Sequence, residues 1–324
     1  MLSIEQLQQK IARALEKLPI YGEPDGLYQP ISYTLSQGGK RLRPLLTLIS
    51  TQMFGGDPDK AVPAASAIEI FHNFTLLHDD IIDQAPLRRG RDTVYKKWNT
   101  NTAILSGDTM FAIAYGQLAT TDAALLSNLM KVFTKTAIEV CEGQQYDIDF
   151  EEADNVNIDG YINMIRLKTA VLLAASLKIG AMVAGADDTD AENIYKFGEN
   201  LGIAFQLQDD LLDAFGDEAI FGKKTGGDIV ANKKTFLYLK ALETSSTIEA
   251  EKLKALYCQR NENDELKIKQ VLELFAKADV QKHTEQVIAR YYKSAMDCLT
   301  RIKLDETAKQ PLLKLTNDIL KRKF

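Results

Sequence analysis

From Leu87 to Gln310 the chain contains no proline; all eight prolines fall outside that stretch. Proline removes an amide donor and clashes with the preceding turn, so its absence leaves long helices uninterrupted. Convincing runs of alternating apolar and polar residues are missing too, which argues against a sheet-based fold. No linker or low-complexity tract stands out. Cysteine is scarce. Cys141, Cys258 and Cys298 show no metal-site spacing and no evident pairing, and read as buried or incidental thiols of a reducing cytoplasm. Every long apolar run is broken by charge within 18 residues, so no transmembrane helix is expected. Positive charge is in deficit, with a net charge of −6. That argues against a general nucleic-acid binder and makes any basic cluster local and specific.

What is present is a 324-residue chain that is 45% hydrophobic, enough for a substantial core. Apolar residues recur at helical spacing. Helices are expected at about 3–18, 27–36, 44–54, 61–83, 101–119, 123–148, 158–184, 189–215, 234–243, 247–258, 263–276, 280–302 and 305–322. The first reads as an amphipathic helix rather than a signal peptide. Ser3 and Gln6 fit a capping box, and Ile4, Leu7, Ile11, Leu15 and Leu18 form its stripe. Pro44 and Pro63 suit first-turn positions. The segment at about 216–233 is glycine-rich and long for a simple connection, which suggests a lid or binding loop. The expectation is one all-α domain over 1–324.

Two copies of one acidic pattern organise the chain: Asp79-Asp80-Ile-Ile-Asp83 in FTLLHDDIID, and Asp209-Asp210-Leu-Leu-Asp213 in FQLQDDLLD. One such triplet is commonly a solvated helix face. Two, each set in apolar residues, are costly without a compensating cation. On a helix, Asp79 and Asp83 share a face, as do Asp209 and Asp213. Hard oxygen-only ligands suit Mg2+, which takes a few carboxylates and completes its shell with water and phosphate.

Basic motifs accompany them. Gly38-Gly39-Lys40-Arg41-Leu42-Arg43-Pro44 puts cations and flexible backbone before a helix start, a ready anion site, or else a solvated basic turn. His72 precedes Asp79 and Asp83 by seven and eleven residues and falls within roughly 40° of both on a helical wheel. His78 points elsewhere and reads as structural. Arg88, Arg89 and Arg91 follow the first acidic helix; they either neutralise it or grip the same polyanion from another side. Lys168-Thr169 interrupts the apolar run IRLKTAVLLAASLKIGA. Lys168 either snorkels to the surface or faces an anion. Gln206 lies three residues before Asp209, and Lys223 and Lys233 flank the glycine-rich segment. The roles of Lys224, Asn232 and Lys234 are not separable by inspection.

Taken together, GGKRLRP, LLHDDIID, APLRRG, the Lys168-Thr169 pair, FQLQDDLLD and GGDIVANKK resemble the all-α polyprenyl (isoprenyl) diphosphate synthase family in order and spacing. The resemblance runs from about Gly38 to Lys234. It implies a helical bundle of the isoprenoid synthase type and a head-to-tail prenyl transfer. An allylic diphosphate ionises, isopentenyl diphosphate attacks, and a proton is lost. By the family pattern Asp79, Asp83 and Asp209 ligate Mg2+, three ions in all, with Asp80, Asp210 and Asp213 in support. Arg88, Lys168, Thr169, Gln206, Lys223 and Lys233 would contact the allylic substrate, and Lys40, Arg43, His72 and Arg89 isopentenyl diphosphate. The chemistry agrees: metal ions and cationic side chains stabilise charge on a diphosphate leaving group, and apolar helices keep water from the cation. A cytoplasmic homodimer with small-molecule substrates is implied.

Two competing readings are weaker. A terpene cyclase usually replaces the second acidic motif and lacks GGKRLRP, and a non-catalytic partner subunit loses aspartates; here all six are present. Product length rests on resemblance alone. Phe74 and Thr75, five and four residues before Asp79, with two residues between Asp80 and Asp83, look like short-chain synthases making C15–C20 products. A longer-chain synthase is the alternative.

Overall fold

A computed structural model describes residues 1–153, 155–216, 225–258 and 263–320. Its described elements are almost entirely helical, as the proline-free stretch demands. In order they are α1 Ile4–Glu16, α2 Asp25–Ser36, α3 Leu42–Met53, α4 Pro58–Ile82, the two-residue strands β1 Leu87–Arg88 and β2 Arg91–Asp92, α5 Val94–Lys97, α6 Thr100–Leu118 and α7 Ala123–Glu152. Then come α8 Ile158–Ile165, a π-helix at Arg166–Ala170, α9 Val171–Val183, α10 Asp188–Phe215, α11 Gly227–Val230, α12 Phe236–Thr244, α13 Thr247–Cys258, α14 Asp264–Lys277, α15 Val280–Arg301 and α16 Glu306–Leu320.

Several expectations are refined. The Ser3–Gln6 capping box forms, and α1 buries Leu7, Ile11 and Leu15. α4 begins earlier than its periodicity suggested. Asp57 caps it by accepting from the Asp59 amide, and Pro58 takes the first helical position. Pro63 therefore lies inside the helix and not in its first turn. The helix expected at 158–184 is interrupted by the π-helix. β1 and β2, α5, and α11 within the glycine-rich segment were not foreseen. Cys141 and Cys258 are exposed and only Cys298 is buried. No described helix is long and apolar enough to cross a membrane.

The chain divides into two compact units, each built from three stretches. One comprises Met1–Thr134, Ala175–Glu192 and Lys303–Leu312; the other comprises Lys135–Ala174, Asn193–Ile302 and Leu313–Phe324. Four of the boundaries fall inside helices α7, α9, α10 and α16.

In the first unit, α3 is buried continuously from Pro44 to Met53, which marks it as a central helix. The Ser50 hydroxyl donates to the Leu177 carbonyl at 2.7 Å and the Thr51 hydroxyl to that of Gly180 at 3.0 Å, tying α3 to α9. α4 packs on α3 and α6. Where it meets α6, Phe71, Phe74, Phe111, Tyr115 and Phe133 form a chain of tilted and edge-on ring contacts at 5.1–5.9 Å. The second unit has its own core, including Tyr161, Met164, Ile165, Ile203, Leu207 and Leu211, with Phe236, Leu237, Leu253, Val271 and Phe275 from the helices that follow.

Candidate active site

Within the first unit, α4 ends in the first acidic motif, and Asp83 is its C-cap. A helix C-terminus carries partial negative charge, so carboxylates there oppose the dipole and call for a cation. The last turn of α4 holds no basic residue. The cation comes from the β1–β2 hairpin. Arg88 Nε donates to Asp80 Oδ1 at 2.7 Å, and Arg88 Nη2 stands 3.8 Å from Asp79 Oδ2. Burial pushes the Asp80 carboxyl up to about 6, with Arg88 pulling against it. Asp79 is half-buried and Asp83 exposed.

The hairpin turn consists of Arg89 and Gly90, at φ 54° and 75°. Two left-handed central residues make a type I′ turn, which suits the twist of a tight hairpin. Arg89 Nη1 donates to the Gly38 carbonyl. Gly39 has φ +124°, a conformation that favours glycine, and the Arg89 guanidinium lies where a Cβ would stand. GGKRLRP and APLRRG are thus in direct contact. Arg43, in the first turn of α3, donates from Nη1 to His72 Nε2 at 3.0 Å. Burial first, then Arg43, Arg89 and Arg88, hold the imidazole well below its ordinary range, so it is a neutral acceptor. Burial also lowers Arg43 to about 10, while Glu69 opposes the shift. Glu69, one turn before His72 and 3% exposed, faces Arg43, Arg89 and Arg41 and was missed in the sequence. Lys40 is exposed on the turn before α3. Phe74 is buried against His78 and Phe111, at 4.8 and 5.3 Å between ring centres. The Thr75 hydroxyl donates to the His72 carbonyl at 2.8 Å. His78 reaches the Ile104 carbonyl and packs on Gly107, a structural role.

Within the second unit, α10 ends in the second acidic motif. Asp210 is 5% exposed and held at both oxygens: the Tyr161 hydroxyl donates to Oδ2, and Gln206 Nε2 donates to Oδ1 at 3.0 Å. The Thr169 hydroxyl donates to Gln206 Oε1 at 3.2 Å. Lys168 Nζ meets Asp147 Oδ2 at 2.6 Å. Lys168 and Thr169 lie in the π-helix, a local widening found most often at functional sites. Two glycines make room for it. A Cβ at Gly143 would meet the Lys168 backbone, and one at Gly202 would meet Ala170. The Asp213 side chain accepts from the Asp228 amide at 2.9 Å. A cavity is lined by Asp147, Tyr161, Lys168, Thr169, Gln206, Asp210, Asp228 and Lys233. Asp209 and Lys233 are half-buried. Burial raises Asp210 and Asp228, and neighbouring carboxylates add to it.

The structure separates the three neighbours of the glycine-rich segment only in part. Lys234 Nζ donates to the carbonyls of Phe150, Glu151 and Ala153 at 2.7–3.1 Å, so it caps α7. Asn232 accepts from Lys267. Lys223 and Lys224 lie outside the described residues. Asp147, Tyr161 and Asp228 were missed as site residues. Asp228 stood in plain view in GGDIVANKK, whereas a single Asp in QQYDIDFEE and a single Tyr in DGYIN carry no pattern.

The donor chemistry fits a hard cation. Both acidic helix ends supply only oxygen, and burial pushes Asp80, Asp210 and Asp228 towards protonation, which a divalent ion relieves. Among the described residues no three of His, Cys, Asp and Glu converge to hold an ion by themselves. That suits Mg2+, which leaves most of its shell to water and phosphate.

An all-α protein whose two units each end a long helix on aspartates and surround them with cationic and polar side chains belongs with enzymes that handle diphosphates. The Polyprenyl synthetase family pattern matches residues 24–275, and the chain belongs to that family of prenyltransferases. It is 39% identical over 292 residues to a geranylgeranyl diphosphate synthase of Sulfolobus acidocaldarius, covering 87% of this chain and 86% of that protein. A geranylfarnesyl diphosphate synthase of Aeropyrum pernix is 34% identical over 304 residues, covering 92% and 94%. Among solved structures, a geranylgeranyl pyrophosphate synthase superposes with a TM-score of 0.95 at 44% identity, covering both chains fully. The fold is therefore the all-α isoprenoid synthase fold.

Proposed function

We propose that this enzyme condenses isopentenyl diphosphate with an allylic diphosphate to give an all-trans C15–C20 polyprenyl diphosphate, C20 favoured, releasing diphosphate. The observation that carries it is the duplication: each unit ends a long helix on three aspartates and carries its own set of cationic and polar side chains. One set, Arg43, His72 and Arg89, is basic and receives the diphosphate of isopentenyl diphosphate together with Lys40. The other, Lys168, Thr169, Gln206 and Lys233 with Lys223, receives the allylic diphosphate with Arg88. Asp79, Asp83 and Asp209 would hold Mg2+, three ions in all, with Asp80, Asp210 and Asp213 in support. There the ions would supply neutralisation of the charge on the diphosphate leaving group. Neutral His72 accepts from Arg43 and so fixes the guanidinium for a phosphate oxygen. Buried α3 and the aromatic contacts between α4 and α6 offer apolar surface to a growing tail, and Phe74 limits its length.

A single domain over 1–324 is part of the proposal, supported by the four unit boundaries that fall inside helices. A homodimer is supported by Ile104 and Leu105, which are 40% and 59% exposed on α6. A sedimentation mass near 36.1 kDa at micromolar concentration would contradict it. The geranylfarnesyl relative makes C25 the nearest alternative product. The test is incubation with isopentenyl and dimethylallyl diphosphates followed by product chromatography. Linear elongation to C20 supports the reading. A cyclic hydrocarbon indicates a cyclase, and no product from folded protein indicates a partner subunit.

A further inference from the structure

α14 lies beyond the charged motifs, yet it carries a lysine in an unusual place. Lys267 is 2% exposed. Lysine is almost never buried to that degree unless it is paired, because desolvating an ammonium is costly. Here the Nζ donates to the neutral side-chain carbonyl of Asn232, and the ring of Tyr257 lies 5.6 Å away. Burial lowers the ammonium's pKa, and Asp264 pulls it back. A charged donor held at such cost on a neutral acceptor calls for a reason at the acceptor.

Asn232 supplies one. Its φ is +56°, the left-handed region, and it immediately precedes Lys233. On the other side, Lys234 is fastened to three carbonyls at the end of α7. Lys233 is therefore clamped between two tied neighbours, and it lines the cavity with Asp228, whose carboxyl its charge stabilises. The Asp228 amide is in turn bonded to Asp213. Tyr257, the ring beside Lys267, feels the charge of both Asp228 and Asp213.

We propose that Lys267 is a positioning residue for allylic diphosphate binding: through Asn232 it holds the left-handed turn that presents Lys233 to the cavity. The proposal rests on the allylic assignment of Lys233 made above. It acts on one substrate only, which separates it from a general contribution to folding.

The experiment compares wild type, Lys267→Met, Asn232→Gly and the double variant in steady-state kinetics and thermal melts. Glycine keeps the left-handed backbone while removing the carbonyl. Each single variant is expected to raise the KM for dimethylallyl diphosphate about tenfold and leave that for isopentenyl diphosphate within about twofold. The double variant is expected to lose no more than the worse single, because both break one tie. An unchanged allylic KM, an equal rise for both substrates, or additive losses overturns the proposal. If Lys267→Met does not fold, Asn232→Gly decides alone on the same two KM values. If wild type elongates nothing, the activity assignment fails separately. Calorimetric titration with inorganic diphosphate and Mg2+ then decides: about tenfold weaker binding in Asn232→Gly supports the tie, and equal binding overturns it.

Discussion

The aspartates ending α4 and those ending α10 present one pattern in two environments. At α4 the compensation is ionic: Arg88 lies on Asp80 and approaches Asp79, and Arg43 and Arg89 stand beside a neutral His72. At α10, Tyr161 and Gln206 donate oriented hydrogen bonds to Asp210, and the Asp228 amide donates one to Asp213. An ion pair tolerates exchange, since Arg88 can trade a carboxylate for a phosphate at small geometric cost. Hydrogen bonds from neutral donors fix direction; burial first, then neighbouring carboxylates, drives Asp210 and Asp228 upward, with Lys233 opposing the shift at Asp228. Arg88 at the first motif is thus placed to change partners, and Asp210 at the second is held in a fixed geometry.

Breaking each motif at its first aspartate gives the largest expected effect. Asp79→Ala and Asp209→Ala should each lower kcat/KM by at least about 10³-fold with helicity intact by circular dichroism, and EDTA should silence wild type. Full activity in EDTA would sink the metal assignment for both. Next comes Phe74→Ala, which touches the first unit alone. Emptying the ring's place against Phe71, Phe111 and His78 should cost about 3–5 kcal/mol in denaturant unfolding. In variant protein that folds, the product should lengthen by one or more five-carbon units on chromatography. An unchanged product would place the floor elsewhere.

Smaller effects sharpen the contrast. Tyr161→Phe removes one of the two side-chain donors to Asp210 and should reduce kcat/KM for the allylic substrate by about tenfold, with the isopentenyl KM unmoved. Loss in the isopentenyl KM instead would mean that the two sets of partners are not separate. The smallest concerns pH. His72 has a depressed folded pKa, so below about 6.5 the unfolded chain binds a proton that the folded one refuses, and stability falls as pH falls. Asp80, raised to about 6, acts oppositely, so the comparison is between wild type and His72→Gln. Wild type should lose up to about 1.4 kcal/mol more per pH unit below 6.5 than the variant. Parallel unfolding curves would show that His72 titrates normally.

Helix positions were legible because apolar periodicity and capping residues such as Ser3 are local signals. Where two local signals compete, the stronger one starts the helix. Pro63 looked like a first-turn proline, but Asp57 and Pro58 start the helix more than a turn earlier. The charged motifs were legible because their residues are close in sequence. What stayed hidden depends on distant pairs. Asp147 matters through Lys168, Tyr161 through Asp210, and Glu69 through Arg43. Lys267 sits in a helix rich in charge, and only the tertiary fold buries it. The Arg89-Gly90 turn lacks the Asn or Asp that usually announces a two-residue hairpin.

The π-helix at Arg166–Ala170 also bears on register. Such a turn accommodates one residue more than an α-turn, so the chain there behaves as a helix with a single inserted residue. Deleting one residue from it would restore regular hydrogen bonding and make the helix locally more ordinary. It would also rotate whatever stays on the far side by about 100°, turning Lys168 or Thr169 away from Asp147 and Gln206. Between such sequences the difference reads as a one-position gap in an otherwise unbroken apolar run. Every motif letter is still present, but they no longer point the same way.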